Sequence, residues 1–177
     1  SSPPYTANTE EYNGSTWTEV NNLNTARETL AGMGVQTAAL ASGGYGPPPG
    51  DVKSATEIWN GTNWTEVNDL NTARYVTTGA GTTTAGLVYT GYTPTIPGST
   101  NKTELWNGTN WTEVNDLAVA RSVGAGGGIQ TSALFMGGET DPGAVPTNCE
   151  SWNGTNWTEV NNLNTGRKAL SGTGPDN

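Results

Sequence analysis

Histidine is absent from this sequence of 177 residues, and there is a single cysteine, Cys149. Without histidine the chain has no Ser-His-Asp triad, no His-ligated zinc or copper centre and no imidazole pH switch. A lone cysteine forms no intramolecular disulfide. No apolar run approaches the roughly 18 residues that a membrane-spanning helix needs. These absences exclude several enzyme classes and predict that the chain does not insert into a membrane.

Basic residues are also scarce. Seven Lys and Arg residues stand against 16 Asp and Glu residues, which gives a formal net charge of −9. Such a chain repels a phosphate backbone and an anionic lipid surface. We therefore expect no nucleic-acid partner.

The dominant feature of the sequence is an internal repeat. A segment of the type Glu-x-Trp-Asn-Gly-Thr-Asn-Trp-Thr-Glu-Val, closed by an Arg, occurs four times. The copies run over residues 10–27, 57–74, 104–121 and 150–167. The second Trp of the copies recurs at intervals of 47, 47 and 46 residues. The chain is therefore one structural unit written about four times.

Each unit divides into four short strands, and helical periodicity is absent. A stretch with Gly at alternate positions follows each Arg, and a Thr-x-x-Leu segment follows as the second strand. Residues 55–59 and 63–67 are typical of the third and fourth strands, and Asn60-Gly61 between them predicts a type I′ hairpin turn. Four antiparallel strands in about 47 residues describe one blade of a β-propeller.

The repeat resembles the kelch repeat in five features that recur in order. These are a di-glycine, a Glu, an aromatic residue two positions later, a second Trp and an Arg. The di-glycine is Gly43-Gly44 and Gly137-Gly138, whereas one unit carries Thr90-Gly91 instead. The wording is also similar to kelch-type repeat proteins of marine microbes and their phages. The resemblance implies an all-β, kelch-like β-propeller.

The blade count of the sequence leaves the closure of the propeller open. A single domain over 1–177 contains a partial blade at 1–27, three complete blades at about 28–74, 75–121 and 122–167, and the start of another at 168–177. The chain enters at a third strand near residues 8–12 and leaves inside a first strand at 168–174. Three interpretations remain: a four-bladed ring with one thin blade, an arc completed by another copy, and an excerpt of a longer chain.

The repeated residues are predicted to be structural, because a catalytic residue is needed only once. We expect the second tryptophans, and also the aromatic residues that precede them, to pack between blades. The periodic arginines are expected to bridge turns and a carboxylate at each blade junction. The tryptophans are Trp17, Trp64, Trp111 and Trp157, and the preceding aromatics are Tyr12, Trp59, Trp106 and Trp152. The ion-pair residues are Arg27, Arg74, Arg121 and Arg167 with Glu10, Glu57, Glu104 and Glu150.

The sequence predicts no catalytic, cofactor or metal site. The Trp-Thr-Glu motif places a carboxylate at the same position in all four copies, whereas a glycosidase needs one asymmetric acid/base pair. These carboxylates are Glu19, Glu66, Glu113 and Glu159. The Gly-x-Gly pairs lack the following helix or Lys of a phosphate cradle. Kelch-type copper oxidases need histidine ligands, which this chain lacks. We therefore expect a protein that is not an enzyme.

Function is expected where the copies differ, which is clearest in the loop between the second and third strands of each unit. The three loops span residues 45–54, 92–101 and 139–148 and are rich in proline, which stiffens them and lowers the entropic cost of binding. The candidate contact residues are Tyr45, Asp51, Tyr92, Glu139 and Asp141. The alternative is that these are merely variable surface loops.

Two functional hypotheses follow. The first is a non-catalytic structural and interaction module on a virion, a tail fibre or a cell surface, hence extracellular or on the virion surface. Such a module binds a protein partner through the variable loops or associates with itself. The second is a glycan-binding lectin-type propeller, in which tyrosines and carboxylates of successive loops hold a sugar.

Overall fold

The computed structural model describes residues 5–47, 51–94, 98–141, 143–172 and 174, and all regular structure in these ranges is β-strand. The first eight strands are β1 (Thr9–Tyr12), β2 (Trp17–Val20), β3 (Ala31–Val35), β4 (Ala38–Ser42), β5 (Thr56–Trp59), β6 (Trp64–Val67), β7 (Thr78–Gly81) and β8 (Gly86–Tyr89). The others are β9 (Tyr92–Thr93), β10 (Gly98–Ser99), β11 (Thr103–Trp106), β12 (Trp111–Glu113), β13 (Ala125–Ile129), β14 (Ser132–Met136), β15 (Cys149–Trp152) and β16 (Trp157–Val160). The fold is all-β. The described part of the chain has no helix that is long and apolar enough to cross a membrane.

Twelve of the strands form three four-stranded antiparallel sheets. The first sheet has the order β3-β4-β5-β6, the second β7-β8-β11-β12 and the third β13-β14-β15-β16. Strands β1 and β2 form an N-terminal hairpin that corresponds to the last two strands of a sheet, and β9 and β10 form a small hairpin in the second loop. Each repeat of the sequence thus yields one sheet of four neighbouring strands.

The turn between the last two strands of each sheet differs from the sequence prediction. Trp59 pairs with Trp64, so the loop between them has four residues. The predicted turn has Asn60 and Gly61 as its central residues, but of these only Gly61 has a positive φ, at 89°. A type I′ turn needs a positive φ at both, so that prediction was wrong. The Asn60 side chain explains the difference, because its Oδ1 accepts the backbone N–H groups of Thr62 and Asn63, both at 2.9 Å.

The core lies between consecutive sheets rather than within one of them. Strand β3 contacts β7, and β7 contacts β13. Met33, Leu40 and Leu70 of the first unit pack with Trp106 and Trp111 of the second in one buried cluster. An equivalent cluster joins the second and third sheets. A Cβ on Gly79 would lie 2.8 Å from the Met33 Cε atom, so glycine in the innermost strand allows this close approach.

The innermost strands surround a glycine-lined cavity of about 190 Å³, to which residues 172 and 174 also contribute. The expected first strand at 168–174 is not a strand over the described residues of this segment. It nevertheless follows the third sheet, because the Ala169 N–H donates to the Val123 carbonyl (2.8 Å) and the Gly128 N–H donates to the Gly174 carbonyl (3.0 Å). Two isolated bonds hold the segment beside β13 without the continuous ladder that defines a strand.

Thr90 marks a weak point at the end of the second strand of the second sheet. It adopts a φ of 62° where the other sheets have Gly43 and Gly137 at 69° and 59°. The side chain is fully buried, and its hydroxyl has no hydrogen-bond partner among the residues that the structure describes. The following amide, Gly91 N–H, lies 3.3 Å from the Arg121 carbonyl, against 2.8 and 2.9 Å for the equivalent bonds of the other two sheets. Threonine therefore loosens this turn, as the departure from the di-glycine pattern suggests.

We expect Thr90→Gly to stabilise the chain by about 1 kcal/mol. The substitution removes left-handed strain of about 1–2 kcal/mol and an unpaired buried hydroxyl, and the greater freedom of glycine in the unfolded chain offsets part of the gain. Urea unfolding followed by tryptophan fluorescence measures the change. The reciprocal variant Gly43→Ala should be destabilising, because its Cβ would lie 2.6 Å from the Arg74 carbonyl. A less stable Thr90→Gly variant would contradict this explanation.

Candidate functional site

The three variable loops start at equivalent places in the fold. The backbone of Tyr45 pairs with that of Glu28, Tyr92 pairs with Tyr75, and Glu139 pairs with Ser122. Each loop therefore leaves its sheet beside the residue that follows the periodic Arg. The segments 48–50, 95–97 and residue 142 of these loops, which include several of their prolines, lie outside the described residues.

A row of four tyrosines runs along this edge of the molecule. The ring centroids of Tyr5 and Tyr45 are 6.2 Å apart, those of Tyr45 and Tyr75 are 5.3 Å apart, and those of Tyr75 and Tyr92 are 5.5 Å apart. All four side chains are half-buried, so part of each ring faces solvent. We call these four residues the tyrosine row. The structure thus brings the candidates Tyr45 and Tyr92 together through Tyr75.

The sequence prediction missed Tyr5 and Tyr75. Tyr75 stands directly after Arg74, at the position that holds Glu28 in the preceding unit and Ser122 in the following unit. A comparison of the copies at this position would have marked Tyr75 as a departure from the repeat. Its contact with Tyr45, which belongs to the variable loop of the preceding unit, depends on how two sheets lie side by side. No spacing within one repeat reveals that arrangement.

The phenol of Tyr75 in the row is neutral at physiological pH. Burial raises the pKa of Tyr75 above its ordinary value of 10.0, and the neighbouring Tyr92 and Tyr45 raise it further. The Tyr75 phenol therefore keeps its proton and is able both to donate and to accept a hydrogen bond. The row offers aromatic surface with polar tips, a chemistry that suits recognition.

The acidic candidates lie in different surroundings. The Asp51 carboxylate pairs with Lys53 at 2.8 Å, and the Glu139 carboxylate pairs with Lys168 at 2.9 Å. The Asp141 carboxylate accepts the backbone N–H of Ser99, which belongs to the hairpin of the second loop. Glu139 and Asp141 therefore tie loop segments to their neighbours, whereas Tyr45 and Tyr92 present a shared surface.

The periodic arginines clamp each connecting segment onto the sheet that follows it. Arginine Nη2 to glutamate Oε1 distances are 3.1 Å for Arg27–Glu57, 2.7 Å for Arg74–Glu104 and 2.7 Å for Arg121–Glu150, and these six side chains are buried. The other terminal nitrogen of each guanidinium, Nη1, donates to backbone carbonyls at the end of the second strand and before the third. Each of these three arginines therefore binds a carboxylate and two turns at once.

Glu10 and Arg167 do not follow this pattern. Both side chains are exposed, and neither has an ion-pair partner among the described residues. The repeated role predicted for all four Arg and Glu residues is thus absent at these two positions. Glu10 lies in the N-terminal hairpin, and Arg167 follows the third sheet, so each belongs to an end of the stack of sheets.

The second tryptophans show the same division. The Nε1–H groups of Trp64, Trp111 and Trp157 donate to the hydroxyls of Thr9, Thr56 and Thr103 in the preceding unit, at 3.0–3.1 Å. Trp59, Trp106 and Trp152 are buried and donate to backbone carbonyls. Trp17 is 66% exposed and Tyr12 is 44% exposed, so no neighbouring unit among the described residues covers them. The prediction that Trp17 packs between units was therefore wrong for this chain.

Comparison with protein-family models and with curated proteins finds no match. Within the described ranges, no group of three or more His, Cys, Asp and Glu side chains is placed to hold a metal ion.

Proposed function

We propose that this chain is a non-catalytic interaction module with a kelch-like β-propeller architecture. Three four-stranded antiparallel sheets lie side by side, and their innermost strands line a common glycine-rich cavity. This arrangement and the ordered repeat motif support the assignment of each sheet as a blade. The clusters between sheets contain Trp106, Trp111 and Trp152, and three Arg–Glu ion pairs of the repeat are buried, which supports a structural role for these residues.

The tyrosine row is the proposed recognition surface, and it is the observation that carries the proposal. Tyrosine provides large, rigid contact area at low entropic cost and is enriched in protein-binding surfaces. The row departs from the repeat at Tyr75 and lies where the variable loops leave the scaffold. Its ring spacing of 5–6 Å suits an extended segment of a protein partner laid along the row. We place the module outside the cell, on a virion, a tail fibre or a cell surface.

A lectin-type function is the second candidate. Partly exposed aromatic rings are platforms for sugar rings, and the loop of Tyr45 also carries the exposed carboxylate of Asp51, which is able to accept hydrogen bonds from sugar hydroxyls. The same surface therefore serves both hypotheses. The nature of the bound molecule distinguishes them.

A peptide-display library and a glycan array, both probed with the purified chain, test the proposal. We expect selected peptides to bind at least ten-fold more weakly to Tyr75→Ala, a loss of about 1.4 kcal/mol. The matched control is Tyr12→Ala, since Tyr12 is an exposed tyrosine of the N-terminal hairpin rather than of the row. Glycans with the same pattern of loss would favour the lectin. Ligands that bind Tyr75→Ala as tightly as the unmodified chain, or the absence of a ligand in both screens, would contradict recognition by the row.

A further inference from the structure

The junctions between consecutive units of this chain are built from the same contacts each time. The Asn68 side-chain amide donates to the Thr109 carbonyl at 3.0 Å and to the Asn110 side chain at 2.8 Å. Asn21 and Asn115 make the equivalent pairs at the junctions on either side. Together with the Trp-to-Thr bonds described above, these contacts define a junction between two consecutive units. We call the side of a unit that faces the next unit its trailing side, and the side that faces the preceding unit its leading side.

The trailing side of the third sheet carries the residues of this junction without a partner unit over them. Val160 is 40% exposed, whereas its counterpart Val67 packs against the buried cluster between the first two sheets. Leu163 is half-buried, whereas its counterpart Leu70 is 4% exposed. Arg167 follows with an exposed guanidinium. We call Val160, Leu163 and Arg167 the C-terminal face.

The leading side of the N-terminal hairpin carries the other half of the junction. Trp17 and Tyr12 are exposed, although Trp111 and Trp106, their counterparts in the second unit, are 6% and 0% exposed. Glu10 lies two residues before Tyr12, as Glu104 does before Trp106, and is also exposed. We call Glu10, Tyr12 and Trp17 the N-terminal face.

The position beside the innermost strand of the first sheet is also open. A Cβ built on Gly79, Gly126 or Gly172 would meet atoms of the preceding innermost strand, within 2.8 Å in the cases of Gly79 and Gly172. A Cβ built on the equivalent Gly32 would meet no described atom within 4 Å. Among the described residues, the segment up to residue 174 therefore does not pack against Gly32 of β3.

We propose that the C-terminal face of one copy binds the N-terminal face of a second copy, head to tail. Arg167 of one copy pairs with Glu10 of the other, as Arg74 pairs with Glu104, and Val160 and Leu163 cover Trp17. The occupant is a second copy because the junction already operates between units of this chain and because the faces have opposite charge. Two different faces of each copy take part, so the contact is heterologous and is able to continue from copy to copy.

Charge reversal provides a sharp test. Glu10→Arg and Arg167→Glu each place like charges in the junction, so each variant alone should associate at least ten-fold more weakly than the unmodified chain. In an equimolar mixture, the two junctions that join one variant to the other each contain one acid and one base, so association should return. Sedimentation velocity over a concentration series measures all three samples. Glu66→Arg, which changes an exposed carboxylate of β6 away from both faces, should associate like the unmodified chain.

Tryptophan emission supplies a second readout. Association should move the emission to shorter wavelength as Trp17 is covered, and Trp17→Phe should remove the shift. A chain that is monomeric at every concentration, association that survives both charge reversals, or a mixture that fails to reassociate would each overturn the proposal. Tyr75→Ala should leave association unchanged, so failure here is separable from failure of recognition by the tyrosine row.

Discussion

Arg74→Ala should destabilise the folded chain by about 3–5 kcal/mol, the cost of breaking a buried ion pair by removing one partner. The Arg74 guanidinium is fully buried, lies 2.7 Å from the Glu104 carboxylate and donates to the Lys102 carbonyl at 2.7 Å. Alanine removes one of the two donors to that carbonyl, which keeps the Thr90 N–H at 3.1 Å, and leaves the carboxylate buried without its cation. The backbone N–H groups of Asn71 and Thr72 still donate to Glu104, so the carboxylate keeps these hydrogen bonds.

The charge on Arg74 is maintained by its partner rather than by solvent. Burial lowers the pKa of Arg74 below its ordinary value, while attraction to Glu104 and hydrogen bonding to it act in the opposite direction. Arg74→Lys should recover little of the loss, because a single ammonium does not bridge a carboxylate and the carbonyls of separate turns as a guanidinium does.

The matched control for Arg74→Ala is Arg167→Ala. Both arginines close the same motif, but Arg167 is exposed and has no ion-pair partner among the described residues. Its loss should change the free energy of unfolding by less than about 0.5 kcal/mol in dilute solution. Urea unfolding followed by circular dichroism measures both variants. A loss below about 0.5 kcal/mol for Arg74→Ala would contradict the role given to the ion pair.

Trp111→Ala should cost about 3–5 kcal/mol, the usual range for removing a large buried aromatic side chain. Trp111 is 6% exposed and lies in the cluster between the first and second sheets with Leu70. Its indole N–H donates to the buried Thr56 hydroxyl at 3.1 Å. Alanine leaves a cavity at the junction and removes one hydrogen-bond partner of the Thr56 hydroxyl, whose other contact is the Ser42 hydroxyl at 3.3 Å.

Trp17→Ala is the matched control, because Trp17 is the same residue at the same repeat position and is 66% exposed. In chains kept dilute, its removal should cost less than about 1 kcal/mol, chiefly from the lost stacking on Tyr12, whose ring centroid is 5.2 Å away. Thermal unfolding of both variants at the same low concentration makes the comparison. Equal losses for the two variants would contradict the assignment of Trp111 to a closed junction and of Trp17 to an open face.

The repeat made the strand pattern predictable. The predicted strands at residues 55–59 and 63–67 contain β5 and β6. They were predictable because alternating side chains mark the strands and Asn-Gly marks the turn within each hairpin. The proximity of Arg74 to Glu104 likewise follows a motif that recurs with fixed spacing. The strands arise within one unit and the ion pair recurs at each closed junction, so each copy reinforces the inference.

Features that depend on neighbouring units were not predictable in the same way. The tyrosine row joins Tyr45, Tyr75 and Tyr92 from different units, and its geometry is set by how the sheets lie together. The exposure of Trp17 reflects the place of its unit at an end of the stack rather than its local sequence, which is nearly identical to that around Trp64. Local sequence therefore identifies the junction residues, whereas only the arrangement of units shows which junctions are closed.

Hydrogen exchange of the tryptophan indole N–H groups, followed by nuclear magnetic resonance, tests the repeated junction most directly. The Arg167→Glu variant should be used, since it keeps the end faces apart. We expect six protected indole signals, because Trp59, Trp64, Trp106, Trp111, Trp152 and Trp157 each donate a hydrogen bond. One signal, which Trp17→Phe removes, should exchange rapidly. Rapid exchange at Trp111 or Trp157, or protection of Trp17 in this variant, would contradict the account.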